Sequence, residues 1–312
     1  MADIRKVATR QSYGEALVEL GAAHDDFVVL DADLAVATQT GKFKAAYPDR
    51  FIDVGIAEQN LMGVAAGIAT TGRKVFASTF AMFAAGRAFE QVRNSIGYPH
   101  LHVVIGATHA GISVGEDGAT HQCNEDLALM RAIPSMTVIV PADDVEAKAA
   151  VRAAYEAEGP VYVRLGRLPV PVIHKDDYHF ELGRGVVERE GSDVTVIACG
   201  LEVPAALEAA KTLADKGVSC EVINMATIKP LDGDLIVASA RKTGRVITVE
   251  EHSVIGGLGS AVCDLLCEAC PTPVKKIGVN DVFGESGPAL DLLAKYGLDG
   301  AGVAEAIEGF VR

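Results

Sequence analysis

The stretch from Phe51 to Gly72, FIDVGIAEQNLMGVAAGIATTG, contains a candidate catalytic acid, Glu58. Its apolar start predicts a short buried strand, and a glycine turn then leads into a helix that begins near Glu58. The carboxylate would lie at the C-terminal edge of a strand, where open α/β sheets bind ligands. An acid in the first turn is also favoured by the helix dipole, and this stretch alone favours that simpler interpretation.

The helix predicted after Glu58 also has a smooth face. Gly63 and Gly67 lie one turn apart on it, with Ala66 and Thr70 beside them. Such a face allows another backbone to approach closely. A carboxylate beside a self-associating helix indicates a site built between subunits.

A glycine-rich loop, GISVGEDGATHQ (111–122), carries the second group of chemically active side chains. His109 and His121 flank Glu116 and Asp117. Two histidines and two acids could bind a metal, but their spacing matches no compact metal site. General acid–base chemistry and recognition of hydroxyl groups suit the set better, because imidazole titrates near neutral pH.

Most of these residues follow predicted strands, and the carboxyl ends of parallel strands share one edge of a sheet. The chain alternates strands and helices, and the strands are short apolar runs, as expected when both faces of a sheet are covered. The predicted strands of the first half are Phe27–Asp31, Phe51–Val54, Lys74–Ser78, Leu101–Gly106, Thr137–Val140 and Val161–Leu165. Its predicted helices are Thr9–His24, Glu58–Thr71, Phe80–Ile96 and Asp143–Ala157.

Phe80 and Phe83 lie three residues apart where a strand becomes a helix, which places both rings on one face. The segment Leu168–Gly183 breaks the pattern and reads as a linker. We therefore predict an α/β protein of two tandem parallel-sheet domains, residues 1–170 and 189–312, joined by a linker at 171–188.

Composition limits the class of protein. The 312 residues carry a net charge of −14, which argues against nucleic acid as a partner and requires a local basic cluster for any anionic substrate. No apolar run approaches the ~20 residues of a membrane span. The start, MADIRKVATR, has no apolar signal region, and six cysteines without one predict reduced thiols in the cytoplasm.

Several ordered motifs cover nearly the whole chain. They are ATR (8–10), DADL (31–34), VGIAEQNLMGVAAGIA, STFAMFAAGRAFEQVR, THAGISVGEDGATHQCNEDLALMRAIPSMTVIVPAD, YVRLGR and ITVEEHSVIGGLGSAV (247–262). Together they resemble the pyrimidine-binding and C-terminal domains of transketolases, which are thiamine-diphosphate enzymes.

The resemblance also implies a partner chain. A complete transketolase has an N-terminal domain whose Gly-Asp-Gly motif and later asparagine hold the diphosphate through Mg²⁺, and this sequence has no such motif. The chain is thus expected to be the C-terminal subunit of a split transketolase, with no metal ligands of its own. The expected assembly is an α2β2 heterotetramer that dimerises through the pyrimidine-binding domain and shares the cofactor with an N-terminal subunit.

The resemblance implies that Glu58 hydrogen-bonds the far ring nitrogen of the cofactor's aminopyrimidine. The exocyclic nitrogen of that ring, in its imino form, then accepts the proton of the thiazolium C2. An apolar setting is expected to raise the pKa of this carboxyl. Phe80 and Phe83 match residues that pack on the ring, and Asp33 matches an acid near the cofactor. Gly86 stands where the family often has tyrosine, which leaves that side of the pocket more open.

For the substrate, Asp117 and His121 match groups that bind sugar hydroxyls and the carbonyl, and Glu58 and His121 are the predicted catalytic residues. Arg10, His109 and Arg164 match groups around the substrate phosphate, where guanidinium forks fit phosphate geometry. The family's phosphate-binding serine falls within Leu34–Thr38, where only Thr38 offers a hydroxyl.

These residues predict ketol transfer between sugar phosphates, as in the pentose phosphate pathway. A deoxyxylulose-phosphate synthase relative or a 2-oxoacid dehydrogenase β subunit is an alternative: His121, Asp117 and Arg10 favour sugars, but the THAG stretch also resembles the synthase. A third hypothesis is that the chain is a non-catalytic partner subunit of the same fold.

A radical iron–sulfur spacing at Cys263, Cys267 and Cys270 also fits one apolar helix face, and we interpret it as core.

Overall fold

The computed structural model describes residues 5–312, so the first four residues of the predicted N-terminal domain lie outside the description. Its strands are β1 (Lys6–Val7), β2 (Phe27–Asp31), β3 (Phe51–Asp53), β4 (Lys74–Phe80), β5 (Val103–Thr108), β6 (Thr137–Ile139), β7 (Val161–Arg164), β8 (Val170–Pro171), β9 (Val186–Arg189), β10 (Val194–Ala198), β11 (Cys220–Asn224), β12 (Thr227–Lys229), β13 (Val246–Ser253) and β14 (Val274–Val279).

The helices alternate with these strands. They are α1 (Thr9–Ala23), α2 (Ala35–Thr38), α3 (Gly41–Ala46), α4 (Glu58–Ala69), α5 (Phe89–Gln91), α6 (Asp126–Ala132), α7 (Asp144–Glu156), α8 (Glu202–Ala214), α9 (Gly233–Thr243), α10 (Leu258–Ala269), α11 (Ala289–Lys295) and α12 (Gly300–Val311). Pro48–Arg50 and Ile112–Asp117 form 3-10 turns, and Met82–Arg87 and Val92–Gly97 are π-helical.

The first sheet has seven strands in the order β12-β6-β7-β5-β4-β2-β3. All neighbours in it are parallel except β12, which runs antiparallel to β6. Asp31 pairs in register with Ser78, and Phe80 with Thr108. The carboxyl ends of β2, β4 and β5 therefore meet at one edge, as the sequence predicts.

The second sheet has five strands in the order β14-β13-β10-β11-β9, and β9 is antiparallel to β11. The two-domain α/β prediction is confirmed, but each sheet is mixed rather than wholly parallel. Both exceptions are edge strands that enter without a crossover helix, so the alternation of strands and helices gives no signal for them.

Two short strands lie around the predicted linker. β8 pairs with β1, and β9, whose first residues lie within 171–188, joins the second sheet. β12 follows the second domain's β11 in the chain but extends the first domain's sheet beside β6. The domain boundaries at 170 and 189 stay a prediction, and β12 ties the two halves together.

The first sheet is covered on both faces because side chains alternate along each strand. In β2, Val28 and Leu30 pack into one apolar cluster, while Phe27 and Val29 pack into another that also contains Tyr13 of α1. These side chains are buried. This two-sided burial explains why the strands read as unbroken apolar runs.

The helix predicted over 80–96 differs from expectation. Phe80 ends β4, and the following segment has two π-helical turns on either side of α5. The Ala88 N–H reaches the Phe83 carbonyl at 3.1 Å, five residues back. Wide turns of this kind occur mostly as single turns, frequently at functional sites.

Candidate active site

Glu58 is the first residue of α4, which begins after the exposed end of β3. Its side chain is buried, and Oε2 accepts a hydrogen bond of 2.8 Å from Arg87 Nη1. The residue thus lies at the sheet edge where the sequence places it. The apolar setting expected around it is not found, because a guanidinium contacts the carboxylate.

Arg87 is a site residue that the sequence reasoning missed. Its guanidinium carbon lies 4.6 Å from the centre of the Phe83 ring while its Nη1 binds Glu58. Arg87 ends the first π-helical turn, four residues after Phe83. An aromatic residue and a cation at this spacing on a helix are a recognisable signal.

Four rings form a platform beside Arg87. Phe80 and Phe83 stack at 5.7 Å with planes 14° apart, and the His109 ring stacks on Phe80 at 3.8 Å. His121 meets the Phe83 ring edge-on at 5.5 Å. The structure therefore brings together the predicted aromatic pair and both histidines, although they come from three separate segments.

Residues 109–121 are called the site loop below. At its start, His109 adopts a left-handed backbone conformation with φ of 57°, and its Nε2 lies 3.3 Å from Arg10 Nη1. Burial is the main cause that lowers the pKa of His109 to about 3. The positive charges of Arg10, Arg167 and His121 lower it further. His109 is therefore neutral at neutral pH and can donate or accept a hydrogen bond.

Arg10 shares a cavity of about 360 Å³ with Arg167, Ser113 and Glu116. Arg10 Nη1 donates to the Ala37 carbonyl at 2.8 Å, and burial together with the nearby Arg167 lowers the pKa of Arg10. Two guanidinium groups lining one cavity can bind an anionic ligand, and Arg167 Nη1 also pairs with Glu116 Oε2 at 3.1 Å. Arg167 was not predicted, although it lies in the YVRLGR motif.

Arg164, predicted to bind the substrate phosphate, lies in the buried contact between the two domains. It ends β7 and is buried, with Nε 2.8 Å from Asp126 Oδ2 and Nη2 donating to the Glu251 carbonyl at 2.8 Å. Burial opposes its charge, but Asp126 and Glu251 more than compensate and raise the pKa of Arg164. This guanidinium joins the two domains, whereas Arg167, three residues later, lines the cavity beside Arg10.

Asp117 and Asp33 lie on either side of these arginines. Asp117 is exposed near the end of the site loop, 4.0 Å from Arg167 Nη1. Asp33 has φ of 61° and donates its backbone N–H to Asp53 Oδ1 at 3.0 Å. Both residues are exposed, and Asp33 lines an open depression together with Arg10 and Asp53.

Asp31, two residues before Asp33, is buried and anchors this turn. It accepts hydrogen bonds from Leu34 N, Thr38 Oγ1 and Thr40 Oγ1. Burial outweighs these bonds and raises the pKa of Asp31 to about 6. Thr38, the only hydroxyl in the segment expected to hold a phosphate ligand, is therefore turned toward Asp31.

A cleft of about 690 Å³ lies between the domains and opens onto Phe83 and Arg87. Thr120 and Gln122 line it from the first domain, and Phe283 lines it from the second. Phe283 is 87% exposed, so a large apolar side chain stands at the mouth of the cleft.

Within residues 5–312 no three His, Cys, Asp or Glu side chains form a group that could hold a metal ion. In the same range no helix is long and apolar enough to span a membrane. Cys267 is exposed, while Cys263 and Cys270 are partly buried. The interpretation of these cysteines as core holds for Cys270, which packs against the apolar cluster of the first sheet, but not for the exposed Cys267.

Both domains of this α/β architecture match domains of a known protein family. Residues 5–172 match the transketolase pyrimidine-binding domain, and residues 183–303 match the transketolase C-terminal domain. The chain therefore belongs to the transketolase family, which confirms the resemblance seen in its motifs.

Within this family the chain corresponds to the C-terminal section of a split transketolase. It is 51% identical to a putative transketolase C-terminal section of Methanocaldococcus jannaschii over 96% of this chain and 94% of that protein. It superposes with a TM-score of 0.91 and 58% identity on a split-gene transketolase described as an inactive beta4 tetramer, covering 97% of this chain and 98% of that one. Human transketolase is 39% identical over 98% of this chain, which spans 49% of the human protein.

Proposed function

We propose that this chain supplies half of a thiamine-diphosphate-dependent active site. In an assembly with an N-terminal subunit it transfers a two-carbon ketol unit from a ketose phosphate to an aldose phosphate. The observation that carries the proposal is the contact of one planar N–H donor, Arg87, with both the Glu58 carboxylate and the Phe83 ring. An aminopyrimidine ring has the same two requirements, an acid at its edge and an aromatic face.

These residues fit the pyrimidine half of the cofactor. Glu58 would bind the ring nitrogen, and Phe83 and Phe80 would pack against the ring face. When bound, the cofactor supplies the reactive thiazolium carbon. The buried Glu58 carboxyl orients the ring and holds or releases a proton at its Oε atoms, which is general acid–base work.

The substrate side of the site combines a phosphate cradle with groups for the sugar. Arg10 and Arg167 supply two guanidinium forks, and the neutral His109 adds a hydrogen bond beside them. His121, edge-on to Phe83, and the exposed Asp117 are suited to the sugar carbonyl and hydroxyls. This local cluster offsets the chain's net charge of −14 for an anionic substrate.

We also propose that an N-terminal subunit holds the diphosphate and most of the Mg²⁺ coordination. Support comes from human transketolase, of which this chain spans 49%, and from the relative described as a C-terminal section. The exposed Gly63 and Gly67 of α4 and the exposed Ile56 beside Glu58 offer a surface for a second copy in an α2β2 assembly. Six free thiols support a cytoplasmic enzyme of carbohydrate metabolism.

Reconstitution tests this function. The full chain is mixed with a candidate N-terminal transketolase subunit, Mg²⁺ and thiamine diphosphate, and donors are compared. Xylulose 5-phosphate should support aldehyde release and transfer to an aldose phosphate only in the mixture, and pyruvate should not replace it. Turnover of pyruvate alone would favour the synthase or dehydrogenase alternatives, and no turnover with any partner would favour a non-catalytic subunit.

A further inference from the structure

The second domain contacts the site loop directly, although none of the predicted substrate ligands belongs to it. The Ser253 N–H of β13 donates to the Asn124 carbonyl at 2.7 Å, just beyond the loop. Gln122 Nε2 donates to the Glu285 carbonyl at 2.9 Å. The second domain thus forms the wall against which the loop is packed.

Glu251 makes the deepest of these contacts. It lies in β13, is buried, and its Oε1 accepts a hydrogen bond of 2.5 Å from the Ser113 backbone N–H. Arg164 from the first domain donates to the Glu251 carbonyl at 2.8 Å. The residue therefore connects the second domain's sheet to the backbone of the site loop.

The loop sequence is adapted to this carboxylate. Gly111 has φ of 77°, and a Cβ at this position would collide with the Glu251 carboxylate. Glycine at 111 is thus required both by the backbone conformation and by the approach of a side chain from the other domain. Two independent features of the loop therefore contact the Glu251 carboxylate. They are the Ser113 N–H and Gly111, which has no side chain.

We propose that Glu251 is a positioning residue through which the C-terminal domain fixes the conformation of the site loop. Glu251 fixes the conformation of the 111–115 backbone. It thereby determines the positions of Asp117 and His121 relative to the Phe83 ring. The effect on catalysis rests on the proposed function, because it assumes that Asp117 and His121 meet the sugar. The effect on loop conformation does not depend on that function.

A carboxylate is suited to this task because a buried backbone N–H bonds most strongly to a charged acceptor. Burial raises the pKa of Glu251 to about 7, against the opposing effects of Arg164 and the Ser113 N–H. Glu202 is also buried nearby with no hydrogen-bond partner on either oxygen, and burial together with Glu251 raises its pKa well above the ordinary value.

The adjacent residue provides a matched control. Glu250 is equally buried, but its carboxylate accepts hydrogen bonds from Leu258 N at 2.7 Å and Gly259 N at 2.8 Å. Successive side chains of a strand point to opposite faces, so Glu250 serves the start of α10 while Glu251 serves the site loop. The two acids share strand, burial and charge but differ in the backbone they hold.

Amide hydrogen exchange of the full-length chain tests the proposal without any need for activity. In Glu251→Ala, exchange at Ser113 and its neighbours should rise about tenfold, the equivalent of one lost buried hydrogen bond. Glu251→Gln should raise exchange less than Glu251→Ala does, because the amide oxygen can still accept from Ser113 but carries no charge. Glu250→Ala should instead speed exchange at Leu258 and Gly259.

Kinetics of the assembled enzyme provides the second readout. Glu251→Ala should raise KM for the sugar phosphates about fivefold or more, whereas Glu250→Ala of equal thermal stability should not. If Glu251→Ala does not fold, Glu251→Asp replaces it, because it keeps the charge but withdraws the carboxylate from Ser113.

Unchanged exchange at Ser113 in a folded Glu251→Ala or Glu251→Asp chain overturns the proposal. The same holds if Glu250→Ala loosens the site loop equally. If the wild-type assembly shows no ketol transfer, the proposed function fails, but the exchange experiment still decides the role of Glu251.

Discussion

At the scale of single residues, the site pairs a buried acid with a guanidinium and an aromatic platform. Arg87 joins Glu58 to Phe83, and His109 joins Phe80 to Arg10. These contacts connect the proposed ring-binding acid, Glu58, with the proposed phosphate-binding residue Arg10. Each end can therefore be tested separately by substitution.

Glu58→Gln tests the acid end. The amide keeps the size of the side chain but cannot exchange a proton at neutral pH, so kcat should fall about 100-fold or more. The melting temperature should stay near wild type, because the amide oxygen can still accept from Arg87. A variant that retains wild-type kcat would remove Glu58 from the proton-handling role.

The two arginines of the YVRLGR motif should behave differently. Arg167→Ala should raise KM for phosphorylated substrates by about tenfold to 100-fold, since one charge-assisted contact is worth about 1.5–3 kcal/mol, and the folded state should persist. KM for a non-phosphorylated analogue serves as the control and should change little.

Arg164→Ala should act on stability instead. It leaves Asp126 buried without its ion-pair partner, which costs about 3–5 kcal/mol in free energy of unfolding, measured by urea denaturation. A stable Arg164→Ala chain with a KM defect limited to phosphorylated substrates would restore Arg164 as the phosphate ligand.

At the scale of elements, the sequence predicts the site where strand ends converge and fails where partners come from far away. β2, β4 and β7 are short, mainly apolar runs, so the sequence predicts both these strands and the residues that follow them. β12 has only three residues and pairs with a strand of the other domain, so nothing in its local pattern identifies its neighbour. The predicted helices likewise do not include α6, which follows the glycine-rich loop.

The same limit applies within the site. Spacing brings Phe80, His109 and Glu58 to one edge because parallel strands align. It cannot distinguish Arg164 from Arg167, since that difference depends on which side chain turns inward at the end of β7. The Arg87–Glu58 contact depends on a π-helical turn, which α-helical periodicity does not predict.

The segment between the domains should contribute a pH-dependent stability. His174 is held between Asp143, the N-cap of α7, and Glu188 of β9. Burial disfavours its charge, but the bonds to Asp143 and Glu188 outweigh burial and raise the pKa of His174 to about 10.

Because the folded pKa exceeds the unfolded value of about 6.5, the contribution is complete below pH ~6.5 and is lost as pH rises toward 10. His174→Gln should therefore cost most free energy of unfolding at pH 6 and progressively less up to pH 10. Urea denaturation of both proteins at several pH values measures this difference. A pH-independent difference would contradict the ion-pair assignment.

At the scale of the whole molecule, the exposed face of α4 should form the contact between copies. A Cβ at Gly63 or Gly67 meets nothing within 4 Å in the single chain, so a larger residue can be added there without disturbing the fold. Gly63→Leu should keep the melting temperature of the monomer and shift the sedimentation profile toward monomer. Gly309→Leu is the control, since it lies on α12 with similar free space and should leave self-association unchanged.

The central claim is that Glu58 of this chain binds the aminopyrimidine ring of a cofactor whose diphosphate is bound by another polypeptide. The most direct test is the rate of hydrogen–deuterium exchange at thiamine diphosphate C2, followed by NMR in the assembled two-chain complex with Mg²⁺. We predict fast exchange in the wild-type complex, slowing of about 100-fold or more in the Glu58→Gln complex, and no acceleration by either subunit alone. Acceleration by this chain alone, or equal rates in the wild-type and Glu58→Gln complexes, would contradict the account.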